Sequence, residues 1–333
     1  MPIPVTARPT APGPMVDEPP EPEAWSRTQV TITGRGGEGW ELPLTASGSS
    51  AWPQAIMLPG ATGLDAPPFG LFSDDSPGLD GSIFRSARAS AREVMIPVYL
   101  HGIDRPTINA LKRRLFKELN PKAGPCVLRF TEGDNSTRLL TAYYKGGMEG
   151  AEGDSSGFTW SKYGLTFVAM DPWYYDEREI SKRFLFGEGD PLLSPTKPFF
   201  PMRIADGVLG DGYYFVDNPG DIEAWPIWRL KGPIKSFKLS TESAPGEVSA
   251  IKATAPADGS DIVPSGRTLT IDTRPGRKTV ADDRGVNYWA KLDTNPTFWP
   301  LESGGNAPQL SVVTGSGKAS VTLNFTPRYA TYA

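Results

Sequence analysis

Apolar and polar residues alternate with period two along much of this chain, the signature of half-buried strands. Thr28 to Thr33 (TQVTIT) sets Val30 and Ile32 on one face, and Arg92 to Leu100 (REVMIPVYL) does the same with Val94, Ile96 and Val98. Pro97 has no N–H for a ladder, which predicts an edge position or a bulge. Cys126–Phe130, Arg138–Tyr144 and Phe158–Met170 continue the series, and Gly133, Asp134 and Asn135 mark a hairpin turn within 131–137. One segment changes period. Ile108, Leu111, Leu115, Phe116 and Leu119 recur at helical spacing, Asp104 can cap, Pro106 suits the first turn, and Asn120–Pro121 stops a helix over 106–120.

From Trp225 onward short strands alternate with turn clusters: Pro226–Leu230, Ser236–Leu239, Glu247–Ala253, Arg267–Ile271, Arg277–Val280, Tyr288–Leu292, Gln309–Val313 and Lys318–Phe325. This spacing predicts a β-sandwich or barrel. Two stretches escape the pattern. Residues 1–24 carry eight prolines and little to bury, which predicts an extended arm, either laid on a neighbour or free. Gly34 to Gly81 holds Pro43, Pro53, Pro59, Pro67, Pro68 and Pro77 and reads as a long loop, of the kind that a function or a partner orders. The expected organisation is an arm at 1–24, a first domain at 25–175, a linker at 176–190 and a second domain at 191–333.

Composition agrees. A length of 333 residues suggests about two domains. Gly and Pro together number 36 + 34 = 70, which with 11% aromatic residues favours short strands and turns over long helices. The net charge of −4 is no electrostatic footprint for gripping nucleic acid. One cysteine, Cys126, rules out an intrachain disulfide and a multi-cysteine zinc site, and one histidine, His101, rules out two-histidine metal motifs. No apolar run approaches the ~18 residues of a membrane span. Met1 to Pro20 lacks the order of a secretory signal. A soluble chain from a reducing compartment is expected.

Candidate chemistry is thin. Gly34-Arg35-Gly36-Gly37-Glu38-Gly39 matches the dinucleotide fingerprint, but Trp40-Glu41-Leu42-Pro43 follows where a helix must begin, so a hairpin tip is the better reading. His101 ends a strand and has no nucleophile-elbow partner; Cys126 reads as a small core residue. Asp74/Asp75 and Asp282/Asp283 are adjacent pairs, and neighbours on an extended chain point opposite ways, so turn or cap duty is expected of them. Gly210-Asp211-Gly212 and Ala257-Asp258-Gly259-Ser260-Asp261 do not form a calcium loop. No catalytic, cofactor or metal residue is assigned. Nine tryptophans remain, of which Trp225, Trp228, Trp289 or Trp299 could stack on sugar rings if exposed, while core or interface use is the commoner fate.

Several phrases recur together. They are Gly81-Ser82-Ile83-Phe84 before the strand 92–100, the helix and strand pair after it, and Val168-Ala169-Met170-Asp171-Pro172-Trp173-Tyr174-Tyr175. Then come Asn218-Pro219-Gly220-Asp221 leading to Ala224-Trp225-Pro226, Leu269-Thr270-Ile271-Asp272-Thr273, Phe298-Trp299-Pro300-Leu301 before Gly304-Gly305-Asn306, and Pro327-Arg328-Tyr329. In this order they resemble the distal tail protein family of long-tailed, non-contractile bacteriophages. The arm and the 34–80 stretch look longer than in compact members.

The resemblance implies a mainly β fold: a tail-tube-like β-sandwich or split barrel with one α-helix, then a galectin-like β-sandwich. It implies a structural, non-enzymatic component of the phage tail tip, made in the host cytoplasm: a homo-hexameric ring joining the tail tube to the tail-tip hub, tail-associated lysin or receptor-binding proteins. Contact with the tape measure, DNA only in transit through the lumen and weak cell-surface carbohydrate binding go with that reading; a cofactor or a membrane anchor does not. Trp40, Trp52, Phe69, Phe72, Phe84, Tyr143 and Tyr144 are the expected subunit interface, on the 34–80 loop and a strand edge at 138–144. The rivals are a carbohydrate-binding adhesin or host-receptor module and, less favoured, a polysaccharide-degrading enzyme.

Overall fold

The computed structural model describes residues 28–34, 40–44, 53–75, 77–78, 80–149, 159–187, 212–244 and 246–333. In chain order the first elements are β1 (Gln29–Thr33), β2 (Glu41–Pro43), β3 (Gln54–Met57), β4 (Phe69–Asp75), β5 (Ser82–Ala89), β6 (Arg92–His101), α1 (Arg105–Leu119), β7 (Cys126–Thr131), β8 (Thr137–Gly146), β9 (Trp160–Ala169) and β10 (Tyr174–Asp176). There follow β11 (Ile180–Phe186), β12 (Gly212–Tyr213), β13 (Val216–Asn218), β14 (Ile227–Lys231), β15 (Ile234–Ala244), β16 (Glu247–Ala253), β17 (Thr268–Asp272), β18 (Thr279–Asp282), β19 (Gly304–Asn306), β20 (Gln309–Thr314), β21 (Ala319–Phe325) and β22 (Arg328–Tyr329). The fold is mainly β with one α-helix among the described residues.

The first sheet runs β2-β1-β7-β8-β9-β6-β3. It nearly closes into a barrel, because Leu44 N–H donates to Val30 O beside β1 and Met57 N–H, at the end of β3, donates to Leu44 O. Alternation fills the interior: Val94, Ile96, Val98 and Leu100 of β6 meet Val30, Ile32, Leu128, Phe130, Leu140, Leu165 and Phe167. Removing such side chains from water is the main stabilising term here. The helix follows β6 and precedes β7, so both of its ends lie at one end of the barrel, where Ile108, Leu111, Leu115 and Leu119 join the core. Asp104 caps it, accepting from Thr107 N–H at 2.8 Å, and Pro106 occupies the first turn.

Three local expectations change. Phe116 is 58% exposed, since it lies about 100° round the helix from Leu115 and off the apolar stripe. Pro97 is on neither an edge nor a bulge: β6 lies between β9 and β3. Its carbonyl accepts from Leu58 N–H on the β3 side, so its missing donor faces the 58–62 segment and costs no bond to β9. The 34–80 stretch is not a plain loop, for it contains β2, β3 and β4. The first two have only Leu42 and Ala55 to bury, too few to show as a period.

The second apolar cluster lies between a five-stranded sheet, β11-β21-β14-β17-β18, and a four-stranded sheet, β12-β20-β15-β16. Trp228 and Trp299 meet edge to face at its centre, ring centroids 5.6 Å apart. Residues 176–190, read from sequence as a linker, include β11, which pairs with β21 from Ile180 to Phe186. Tyr288–Leu292, expected as a strand, instead holds a 3-10 turn at Trp289–Lys291, because the Asn287 side chain accepts from Trp289 N–H and Lys291 N–H returns to Tyr288 O.

Candidate assembly surfaces

β4 and β5 pair only with each other and leave the barrel as a two-stranded ribbon. Nearly every residue on it is exposed, including Phe69, Leu71, Phe72, Ile83 and Phe84, at 46 to 71%. Strand alternation puts Phe69, Leu71 and Phe84 on one face and Phe72 and Ile83 on the other. A register shift opposite Phe72 and Ser73 adds twist. The ribbon's own bonds are modest: Arg85 pairs with Asp74, Ser82 donates to Asp75, and Arg88 lies over the Phe72 ring at 5.5 Å. At its base Ser90 N–H donates to Pro68 O, and Phe69 meets Trp173 edge to face. A ribbon of two strands with apolar side chains on both faces is marginal in water, which makes it a candidate interaction surface.

The structure thus places Phe69, Phe72 and Phe84 on one ribbon, with Phe72 on the opposite face from the other two. Trp40 lies elsewhere, half-buried against the first core with Arg114 above its ring at 4.9 Å. Trp52 and the tip of the Gly34–Gly39 motif fall outside the described residues. Tyr143 and Tyr144 sit on β8, and β8 is not an edge: β7 pairs along one side while β9 and β10 share the other. Tyr144 is half-buried, its hydroxyl accepts from Met148 N–H at 3.0 Å, and burial above all raises its pKa.

A second cluster joins two phrases singled out in the sequence, 168–175 and 327–329, whose proximity had no sequence signal. Residues 328–332 return to the first sheet, where β22 pairs with β10. Three arginines hold them. Arg328 reaches Asp171 at 3.1 Å and Glu223 O at 3.2 Å. Arg138 pairs with Asp176 at 3.0 Å and lies 3.7 Å from the Tyr329 ring centre. Arg92, 1% exposed, donates to Leu64 O and Ala330 O and stacks on Tyr174; burial lowers its pKa. Tyr332 packs on Phe130 and Tyr174. The phenols of Tyr174 and Tyr175 are pushed up to about 12 by burial, in Tyr175 reinforced by the carboxylate of Asp171.

Other candidates settle into structural duty. His101 is the half-buried last residue of β6, with Tyr99 beside its ring. Cys126 is buried, donates to Ala142 O, and desolvation raises its thiol to about 12. Asp282 is a buried turn residue held by Arg267 and by the N–H groups of Arg284 and Val286. Trp228 and Trp299 are core, whereas Trp289 is 43% exposed and stacks on Phe298. Among the described residues no group of three His, Cys, Asp or Glu could hold a metal, and no helix is long and apolar enough to cross a membrane.

No protein-family model matches the chain, and no curated protein matches it in sequence. Solved structures do match its fold. The Dit protein (gp 19.1) of phage SPP1, described as a paradigm of the hub adsorption apparatus in phages infecting Gram-positive bacteria, aligns with a TM-score of 0.60 and 15% identity over 90% of this chain and 98% of that one. Chains of the phage P2 baseplate in its activated conformation, with Ca and with Sr, align at TM-scores of 0.49 and 0.47, each with 9% identity, over 92% and 90% of this chain and 99% and 98% of theirs. The chain therefore shares the fold of the SPP1 Dit protein.

Proposed function

We propose that the chain is a structural hub at the distal end of a phage tail, without catalysis of its own. The supporting observation is the Dit fold across 90% of the chain, carried together with an apolar ribbon that one subunit leaves in water. Residues 25–175 form the ring-building unit and the remainder a peripheral sandwich, with 328–332 tying the second to the first. Six copies close a ring by a heterologous contact, in which the β4–β5 ribbon of one subunit lies on a different face of the next. The ring joins the tail tube to the tail-tip and receptor-binding proteins, and DNA crosses its lumen without being gripped, in keeping with the acidic balance.

Solution mass across a concentration series, with negative-stain images, tests this reading. A species of six subunits with a central hole is expected. A monomer at every concentration, even with tail tube protein added, overturns the ring. Trp289 supports a second reading, since an aromatic face left 43% exposed suits a sugar ring. Glycan binding that disappears in Trp289→Ala would establish it.

A further inference from the structure

The outer face of α1 presents Arg113, Arg114 and Lys117, with Arg114 over the Trp40 ring. The helix carries Arg105, Lys112, Arg113, Arg114 and Lys117 and one acid, Glu118, which is buried. Lys122 follows it. Among the described residues no carboxylate pairs with Arg113, Arg114 or Lys117. Phe116 stands between them, 58% exposed. An apolar ring within a cluster of cations, on a chain of net charge −4, is an unusual thing to leave in water.

The same sequence contains the complement. Asp17, Glu18, Glu21 and Glu23 fall within Val16–Glu23 (VDEPPEPE), with no Lys or Arg between Pro9 and Ser26 and with Trp25 just beyond. Pro19, Pro20 and Pro22 have φ fixed by their rings, so docking in an extended form would cost this stretch little entropy. At ~3.1 Å per residue, Asp17 to Glu23 spans about 19 Å. A helix of 15 residues is about 22 Å long. Charge, length and one aromatic anchor on each side agree.

The geometry also separates the segment from its own helix. α1 lies at the end of the barrel where β1 finishes: a Cβ on Gly34 would sit 2.5 Å from that of Glu118. Thr28 enters β1 at the other end, bonded to Glu132 in the β7–β8 turn. From Thr28 the three residues back to Trp25 span at most about 11 Å, less than the roughly 17 Å of β1 that they would have to retrace to bring Trp25 to Phe116 of the same chain. A neighbour's helix needs no such reversal.

We propose that the acidic, proline-rich segment 16–25 of one subunit docks on the basic outer face of α1 of a second copy of this chain, with Trp25 against Phe116. The two-copy assignment rests on the assembly reading above. It adds a second heterologous contact to the ribbon's, one held by charge.

The test is fluorescence anisotropy of a labelled peptide covering residues 14–26. Its host is the full chain with its own segment neutralised (Asp17→Asn, Glu18→Gln, Glu21→Gln, Glu23→Gln). Saturable binding is expected, weakening at least tenfold from 50 to 300 mM salt. It should fall at least thirtyfold when the host also carries Arg113→Glu, Arg114→Glu and Lys117→Glu, and return with a peptide whose four acids are lysines. Circular dichroism checks the fold of the reversed host, and Arg113→Ala/Lys117→Ala gives a milder version of the same loss. Absence of binding, or equal binding to the reversed host, overturns the proposal. So does a DNA duplex that binds the helix face where the peptide does not. A dilute, monomeric native chain that excludes the peptide would put the segment on its own helix and overturn the two-copy assignment. Because the peptide is scored on a monomeric host, this contact and the ring fail separately.

Discussion

The β4–β5 ribbon and the β10–β22 pairing at the margin of the first sheet invert the usual relation between pairing and security. The β4–β5 ribbon registers seven residue pairs and buries almost nothing. The β10–β22 ribbon registers two and sits among Arg92, Arg138, Arg328, Tyr174 and Tyr332. Ladder bonds largely replace bonds to water, so their number says little about stability. What fixes a short pairing is the desolvated surroundings, where each removed partner strands a charge or a ring. The long ribbon is therefore the element whose side chains are left to solvent, and the short one is the element that holds this chain to itself.

The largest effect should come from breaking the short ribbon. Deleting 328–333 takes Ala330 O from Arg92 and Tyr329 from Arg138, and should cost more than about 3 kcal/mol in urea unfolding. A loss under 1 kcal/mol would remove the arginine cluster from the account. Next comes the long ribbon. Leu71→Ser with Phe84→Ser should leave the monomer's unfolding midpoint within about 0.5 kcal/mol and weaken association by about 2 kcal/mol, some thirtyfold, in sedimentation.

Alkaline titration separates the two regions again. Tyr174 and Tyr175 ionise near 12 in the folded chain and near 10.0 when unfolded. Raised folded values mean that their contribution is complete below about pH 10 and is lost as pH climbs toward 12, because the unfolded chain releases its protons first. Melting midpoints from pH 9 to 12 should fall, and Tyr174→Phe should flatten that fall. An unchanged slope would show that Tyr174 is not the titrating group.

The smallest contrast lies between two ion pairs. Asp176→Asn, facing an Arg138 whose side chain is 15% exposed, should cost about 1–2 kcal/mol in thermal melts. Asp74→Asn, on a ribbon where both partners are about 60% exposed, should stay under about 0.5 kcal/mol. Equal costs would show that burial does not separate the two ion pairs.

Sequence legibility followed the same division. The helix could be read because Asp104, Pro106 and the apolar spacing all act within a few residues. β6 and β7 could be read because one face is core and the other is not. β4 and β5 could not, since both faces meet solvent and Phe-Gly-Leu-Phe-Ser-Asp-Asp has no reason to alternate. Its aromatic residues still drew attention, and Phe69, Phe72 and Phe84 do lie exposed, on strands that the sequence did not reveal. β11 escaped because Ser181, Lys182 and Arg183 face solvent on an edge. β22 escaped because two residues have no period, and its partners lie far back in the chain. Trp40 and Tyr144 drew attention as aromatics, yet burial depends on what the fold sets beside them.

The return of residues 328–332 also bears on how the chain comes to be folded. Arg92 waits for Ala330, 238 residues away, and Tyr174 for Tyr332. On a ribosome, the first barrel would have its strands and helix long before its last wall segment had been made. Closing so long a loop is slow, and exposed apolar surface invites aggregation meanwhile. The side of the first core around Arg92 and Tyr174 thus stays uncovered until the sandwich has been translated.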